Sequence, residues 1–185
     1  LKRLFDFVIS LFALLILWPL ILILIITASF NTAASGLFLQ DRVGQHGRIF
    51  RILKIRTMKA GSSLPTKFGA FLRRTKADEL PQLWNVLVGE MSLVGPRPDI
   101  PGYYDKLEGE ASQLLALRPG ITGPASLKYA DEEELLARQA DPQRYNDEVI
   151  FPDKVRINLE YLRKHNLLYD IKILLLTLTG GKINN

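Results

Sequence analysis

The chain contains no cysteine among its 185 residues, and only two histidines, two methionines and two tryptophans. Without thiols it has no disulfide, no thiolate metal site and no cysteine nucleophile, which accords with a reducing compartment. His46 and His165 are isolated from one another and no G-x-S-x-G elbow accompanies them, which argues against a histidine metal pair and a hydrolase triad. Gly180-Gly181-Lys182 lacks the spacing of a phosphate-binding P-loop. Acids are scarce in one region: between positions 40 and 77, Asp41 stands alone against ten lysines and arginines. From 99 to 153 the balance reverses, with twelve acids against five bases. The net charge of +5 suits an anionic partner such as a lipid headgroup, a nucleotide or a nucleic acid. Trp18, Trp84 and the tyrosines fit packing or interfacial anchoring better than base stacking, so no nucleic-acid partner is expected.

Polar side chains are nearly missing from 7 to 26, twenty residues in which only Ser10 and the Trp18 indole carry hydrogen-bonding groups. As a helix that run is ~30 Å long, the thickness of a bilayer core. Lys2 and Arg3 precede it and the basic block follows it, so the positive-inside preference draws both flanks to the cytoplasm. Pro19 sits near its middle, where a proline removes the hydrogen bond to the carbonyl four residues back and kinks a helix. A bent, re-entrant helix satisfies both flanks; a straight span satisfies the length alone. The small residues Ala33-Ala34-Ser35 leave a signal peptide as a third reading, although the apolar core is long for one. The expected organisation is a membrane helix over 1–35 and one domain over 36–185, mainly α with a small β-hairpin around Gly44-Gln45-His46-Gly47. Lys67 to Thr75 and Leu167 to Thr179 read as amphipathic or apolar helices suited to the interface or the core.

The stretch richest in chemistry is 78–98, DELPQLWNVLVGEMSLVGPRP. Asp78 stands where an N-cap belongs, Glu79 in a first turn, and Pro81 is tolerated there. Taken alone, an Asp-Glu pair at a helix start is ordinary capping. Its surroundings point elsewhere: Arg73, Arg74 and Lys76 lie just before it, and Pro96 and Pro98 hold Arg97 in an extended segment. Consecutive helical side chains point ~100° apart, so two adjacent carboxylates suit two different tasks. Upstream, Lys54 and Arg56 on the second arm of the hairpin are the favoured phosphate-binding bases, and Arg118-Pro119-Gly120-Ile121-Thr122-Gly123-Pro124 reads as a tight loop. The acids Asp131-Glu132-Glu133-Glu134 fan around a solvated helix start.

From Leu72-Arg73 to Pro98 the chain closely resembles the bacterial sugar transferases, monotopic phosphoglycosyl transferases that begin glycan assembly on a polyprenol phosphate carrier. The resemblance extends to Lys2-Arg3-Leu4-Phe5-Asp6, to Gln40, Arg42, Gly44, Gly47, Phe50, Lys54, Arg56, Thr57 and Met58, and to Arg118-Pro119-Gly120-Ile121-Thr122-Gly123. Where many members carry serine before the membrane proline, this chain has Trp18.

The resemblance implies a membrane-anchored enzyme on the cytoplasmic face of the bacterial inner membrane, with a proline-broken re-entrant helix bending at Pro19 and one compact domain with interfacial helices. It implies that Asp78 attacks the sugar-linked phosphate of a UDP-sugar, that UMP leaves, and that polyprenol phosphate takes up the phosphosugar. Glu79, with Asp78, would hold Mg²⁺, while Lys54, Arg56, Arg73 and Arg97 would bind the phosphates. Membrane lipids and downstream glycosyltransferases are the remaining implied partners. The competing reading is a non-catalytic membrane-anchored scaffold whose basic face binds anionic lipid.

Overall fold

The computed structural model describes residues 1–62 and 64–181; Lys182 of the Gly-Gly-Lys triplet lies outside them. The fold is mainly helical with two two-stranded sheets, β1–β2 and β3–β4. By main-chain proximity it divides into two compact units. The first takes Leu1, Arg3–Arg42 and Ile49–Ser92, and the second takes Lys2, Val43–Arg48 and the chain from Leu93 onward.

The first unit starts with helix α1, Lys2–Thr32, which runs unbroken through Pro19. In its most apolar stretch only 11% of residues are buried, so it is not the core helix of a soluble fold. Five of its polar side chains bond back onto the helix itself: the Ser10, Thr27, Ser29 and Thr32 hydroxyls and the Asn31 amide donate to carbonyls three or four residues back. Such back-bonding keeps polar groups satisfied where water is absent.

Strands β1 (Leu37–Val43) and β2 (Ile49–Ile55) form the expected hairpin, with His46 and Gly47 in left-handed conformations at its turn. Helix α2, Lys67–Thr75, is N-capped by Thr66, whose hydroxyl accepts from the Gly69 N–H. Gly69 has to be glycine, because a Cβ there would lie 2.0 Å from the Thr57 carbonyl oxygen. That contact brings α2 main chain against the end of β2. Ala28, Ile55 and Leu72 are fully or almost fully buried in the small core that results, flanked by Leu24, Ile25, Phe68 and Ala77. Helix α3, Gln82–Val88, ends at Gly89 with φ +94, and the Arg3 guanidinium donates to the Val86 and Leu87 carbonyls at 2.6 and 2.7 Å. Arg3 therefore satisfies the open C-terminal carbonyls of a helix.

The second unit packs α7 (Phe151–Lys164) over Val43, Tyr104 and Leu114, with Phe151, Val155, Leu159 and Leu162 as its inner face. The stretch 100–117 contains two 3₁₀ segments, Tyr104–Lys106 and Gly109–Ala116. The Gly/Pro loop after Arg118 differs from expectation. Gly120–Thr122 is strand β4, paired with β3 (Ser92–Val94), and its neighbours close on the proline-flanked segment: Gly95 N–H donates to Thr122 O and Gly120 N–H to Pro96 O. A Cβ on Gly120 would lie 2.1 Å from Gly95 N, so main chain meets main chain. Helices α4 (Pro124–Lys128), α5 (Glu132–Ala137) and α6 (Pro142–Tyr145) lead through a π turn into α7, and α8 spans Leu167–Thr179. Lys2, with a side chain suited to snorkelling, instead donates to Asp170 and the Val94 carbonyl, and Tyr161 donates to the other Asp170 oxygen at 2.6 Å.

Candidate active site

Asp78 and Glu79 lie in the first unit, in the 3₁₀ turn Ala77–Glu79. Lys76, at φ 56, ends α2 by donating its N–H to the Arg73 and Leu72 carbonyls, which reverses the chain and starts this turn. The N-cap expectation is not met. Pro81 occupies the N-cap position of α3, and no side chain caps that helix. The turn ahead of it closes through i→i+3 bonds, Glu79 N to Lys76 O and Leu80 N to Ala77 O. Both carboxylates are instead buried, at 8% and 7% exposure.

Burial of two adjacent acids demands compensation. For Glu79 it comes from Lys54, whose Nζ donates to Oε1 at 3.2 Å with both side chains mostly buried. Asp78 is treated differently: its Oδ1 is buried and has no hydrogen-bond partner among the described residues. Burial, and next the negative charge of Glu79, push the Asp78 carboxyl above its ordinary value of 3.8, against the pull of Lys54, its own main-chain N–H and Lys76. A capping carboxylate would spend its oxygens on backbone N–H groups. An oxygen held bare and dehydrated beside a lysine–glutamate pair has the properties of a nucleophile or a cation ligand.

The strand and the helix that carry these groups are fastened by Asn85, fully buried. Its amide nitrogen donates to Arg51 O at 2.8 Å and to Glu90 Oε2 at 2.7 Å, and its Oδ1 accepts from Leu53 N at 3.1 Å. The carboxamide thus mimics a neighbouring strand along the β2 edge, one residue before Lys54. Asn85 carries no motif of its own in the sequence; a carboxamide on the buried side of a largely apolar helix, like that of Gln82, is the available signal.

The other bases are distributed. Arg73, in the last turn of α2, donates from Nε to Thr57 Oγ1 at 3.2 Å and approaches Met58 Sδ. Arg56 donates to Ser35 O at 2.6 Å, and its guanidinium lies over the Phe38 ring. Lys54, Arg56, Arg73, Asp78 and Glu79 all belong to the first unit. Arg97 belongs to the second, half-buried in the segment that Gly95 and Pro96 pin to β4. Pro19 lies on the exposed surface of α1.

A family model for bacterial sugar transferases matches residues 1–181. The UDP-glucose:undecaprenyl-phosphate glucose-1-phosphate transferase of Xanthomonas campestris pv. campestris is 34% identical over 192 residues, covering 95% of this chain and 37% of the relative. The Escherichia coli protein of the same description is 33% identical over 201 residues, with 100% and 40% covered. A putative undecaprenyl-phosphate N-acetylgalactosaminyl 1-phosphate transferase of Bacillus subtilis is 38% identical over 148 residues, covering 71% of this chain and 79% of the relative. The chain thus spans about two fifths of the length of the first two relatives. With a match that runs from the first residue to near the last, and with the acid pair, the lysine and the Pro-Arg-Pro segment in place, this chain belongs to the bacterial sugar transferase family.

Proposed function

We propose that this chain transfers a sugar 1-phosphate from a UDP-sugar to a polyprenol phosphate, by way of a phosphosugar ester on Asp78. The observation that carries the reading is the buried, unpartnered Oδ1 of Asp78 beside the Lys54–Glu79 pair. In the first step that oxygen attacks the phosphorus bearing the sugar, the bond from phosphorus to the bridging oxygen breaks, and UMP leaves with the bond's electron pair. In the second, an oxygen of the polyprenol phosphate attacks the same phosphorus and releases the Asp78 carboxylate, giving a polyprenyl-diphosphate sugar. Lys54, Arg56 and Arg73, all of the first unit, are assigned to phosphate oxygens, whose charge grows during transfer, and Arg97 of the Pro-Arg-Pro segment is a further phosphate-binding candidate tested by its own variant.

Mg²⁺ suits the donors at hand. Among the described residues no cluster of three or more candidate ligands exists, but this ion commonly takes one or two carboxylates and completes its shell with water and substrate phosphate. Glu79 and Asp78 would hold it, and when bound it would offset phosphate charge.

The membrane arrangement we propose is re-entrant. At its start α1 is held within the first unit by Arg3 on α3 and by Asp6, which accepts from Ser92 Oγ at 2.8 Å; near its end Ala28 packs on Ile55 and Leu72. Between these attachments Leu15, Ile16, Trp18 and Ile23 are exposed. A helix whose two ends are held by one folded unit, with a bare apolar middle, supports insertion from a single face, here the cytoplasmic face of the inner membrane, and not a scaffold of arbitrary orientation.

The test is intact-mass measurement after incubation with UDP-sugar alone, across a panel of sugars. A phosphosugar adduct and UMP release are expected in the wild type and neither in Asp78→Asn. UMP that appears only when both substrates are present would favour direct attack by the lipid phosphate, and an adduct surviving in Asp78→Asn but lost in Glu79→Gln would reverse the two acids.

A further inference from the structure

Gln82 is 2% exposed, and its Nε2 is buried without a hydrogen-bond partner among the described residues. A carboxamide inside a protein normally finds partners, and Asn85, one turn later, finds one for each of its polar hydrogens and its oxygen. The exception therefore calls for a reason. Gln82 opens α3 directly after the turn that carries Asp78 and Glu79. Helical geometry tilts each Cα–Cβ bond toward the N-terminus, so a side chain covers the turn ahead of its own Cα. For Gln82 that turn is the one bearing the two acids. Two unpartnered buried polar atoms thus occur four residues apart on one short stretch, an acceptor on Asp78 and a donor on Gln82.

We infer that Gln82 is a further catalytic residue, whose carboxamide donates to a non-bridging oxygen of the phosphate while Asp78 attacks it. This rests on the reading of Asp78 as nucleophile. A donor already dehydrated and bound to nothing else need not break a protein contact to serve the transition state, which is the property that makes preorganised donors effective. Lys54 contributes charge to the same region from the strand side; Gln82 contributes a neutral, directional N–H that leaves the carboxylates' ionisation alone.

The inference makes stability and activity move in opposite directions. Gln82→Met keeps the side-chain length and removes a buried polar group that has no protein partner, so the melting temperature should hold or rise. The rate of UMP release should fall by about 10–10³-fold, the upper end being typical of a lost transition-state donor, with KM for the UDP-sugar changing far less than kcat. Gln82→Glu, which has the same shape and, when ionised, no donor, should be at least as slow. Unchanged turnover in Gln82→Met would overturn the inference, and so would turnover and melting temperature falling together, since that is the signature of a packing residue. Gln82→Leu, measured alongside, guards against a rotamer effect peculiar to methionine. Asp78→Asn in the same series separates the two claims: if it still releases UMP, the nucleophile assignment fails, whereas an inactive Asp78→Asn with a fully active Gln82→Met removes only the role given to Gln82.

Discussion

Replacing Lys54 by methionine removes the positive partner from a buried pair while keeping most of its aliphatic volume. Lys54 Nζ lies 3.2 Å from Glu79 Oε1, with side-chain exposures of 17% and 8%. At an effective dielectric of ~20 the direct attraction at that separation is about 5 kcal/mol, most of it offset by the cost of burying both charges. The pair's net value against an apolar replacement is therefore small, but removing one member leaves the other buried without that countercharge. Breaking such a pair typically costs about 3–5 kcal/mol, and the residual solvent at Lys54 argues for the lower end. Glu79→Gln leaves Lys54 with Asp78 as its remaining acidic neighbour and costs less, because the lysine is also the more exposed member. The double variant should recover most of the loss, so a double-mutant cycle by denaturant unfolding in detergent should return a coupling of about 2 kcal/mol. Activity carries a second readout. Lys54 is the strongest of the influences that lower the Asp78 carboxyl, so its loss should move the acid limb of the pH–rate profile upward. Additive single variants, with coupling under about 0.5 kcal/mol, would refute the pairing argument, and an unmoved acid limb would refute the link from Lys54 to Asp78.

Asp78→Asn should abolish turnover yet stabilise the fold at neutral pH. A carboxyl raised by burial gives stability that is fully present below the unfolded value of 3.8 and lost as pH rises through the folded value, so the variant's advantage should vanish below about pH 4 in a melting series. Asn85→Ala should lower stability by about 2–4 kcal/mol, since it strands the Leu53 N–H and the Arg51 carbonyl on the β2 edge, and an unfolding midpoint equal to wild type would deny it that fastening role. Arg97→Ala should reduce turnover about 10²–10³-fold while Arg138→Ala, on exposed α5's end, leaves it unchanged; equal mild effects would leave Arg97 only a part in holding its own segment. Because the chain is free of cysteine, Leu1→Cys and Ser35→Cys can be labelled singly in sealed vesicles; labelling from the same side is expected, labelling from opposite sides excludes the re-entrant arrangement, and Pro19→Ala should shift part of the population toward spanning.

Much of this protein was determined by local pattern. Apolar length marks α1, turn residues around Gly44–Gly47 mark the hairpin, and apolar spacing marks α2 and α8, because each of these depends on periodicity or on a few backbone preferences within one segment. The order of acids, bases and prolines from Arg73 to Pro98 singles out Asp78, Glu79 and Arg97 as candidates, and Lys54 enters from the second arm of the hairpin. What Asp78 does there was not legible, since capping and nucleophilic roles share one local sequence. Tertiary structure buries both acids in the turn between the left-handed Lys76 and the Pro81 N-cap, with Lys54 donating to Glu79 and its charge also acting on Asp78. Gly120–Thr122, within the Arg118–Pro124 segment, became a strand for a similar reason, because only the approach of Gly95 to Gly120 supplies the partner that a Gly/Pro sequence does not advertise. Lys2, Arg3, Gln82 and Asn85 share that history. Whether a polar side chain meets water, a carbonyl, a carboxylate or nothing is a property of the neighbours that distant parts of the chain bring to it, and no spacing rule within a segment contains that information.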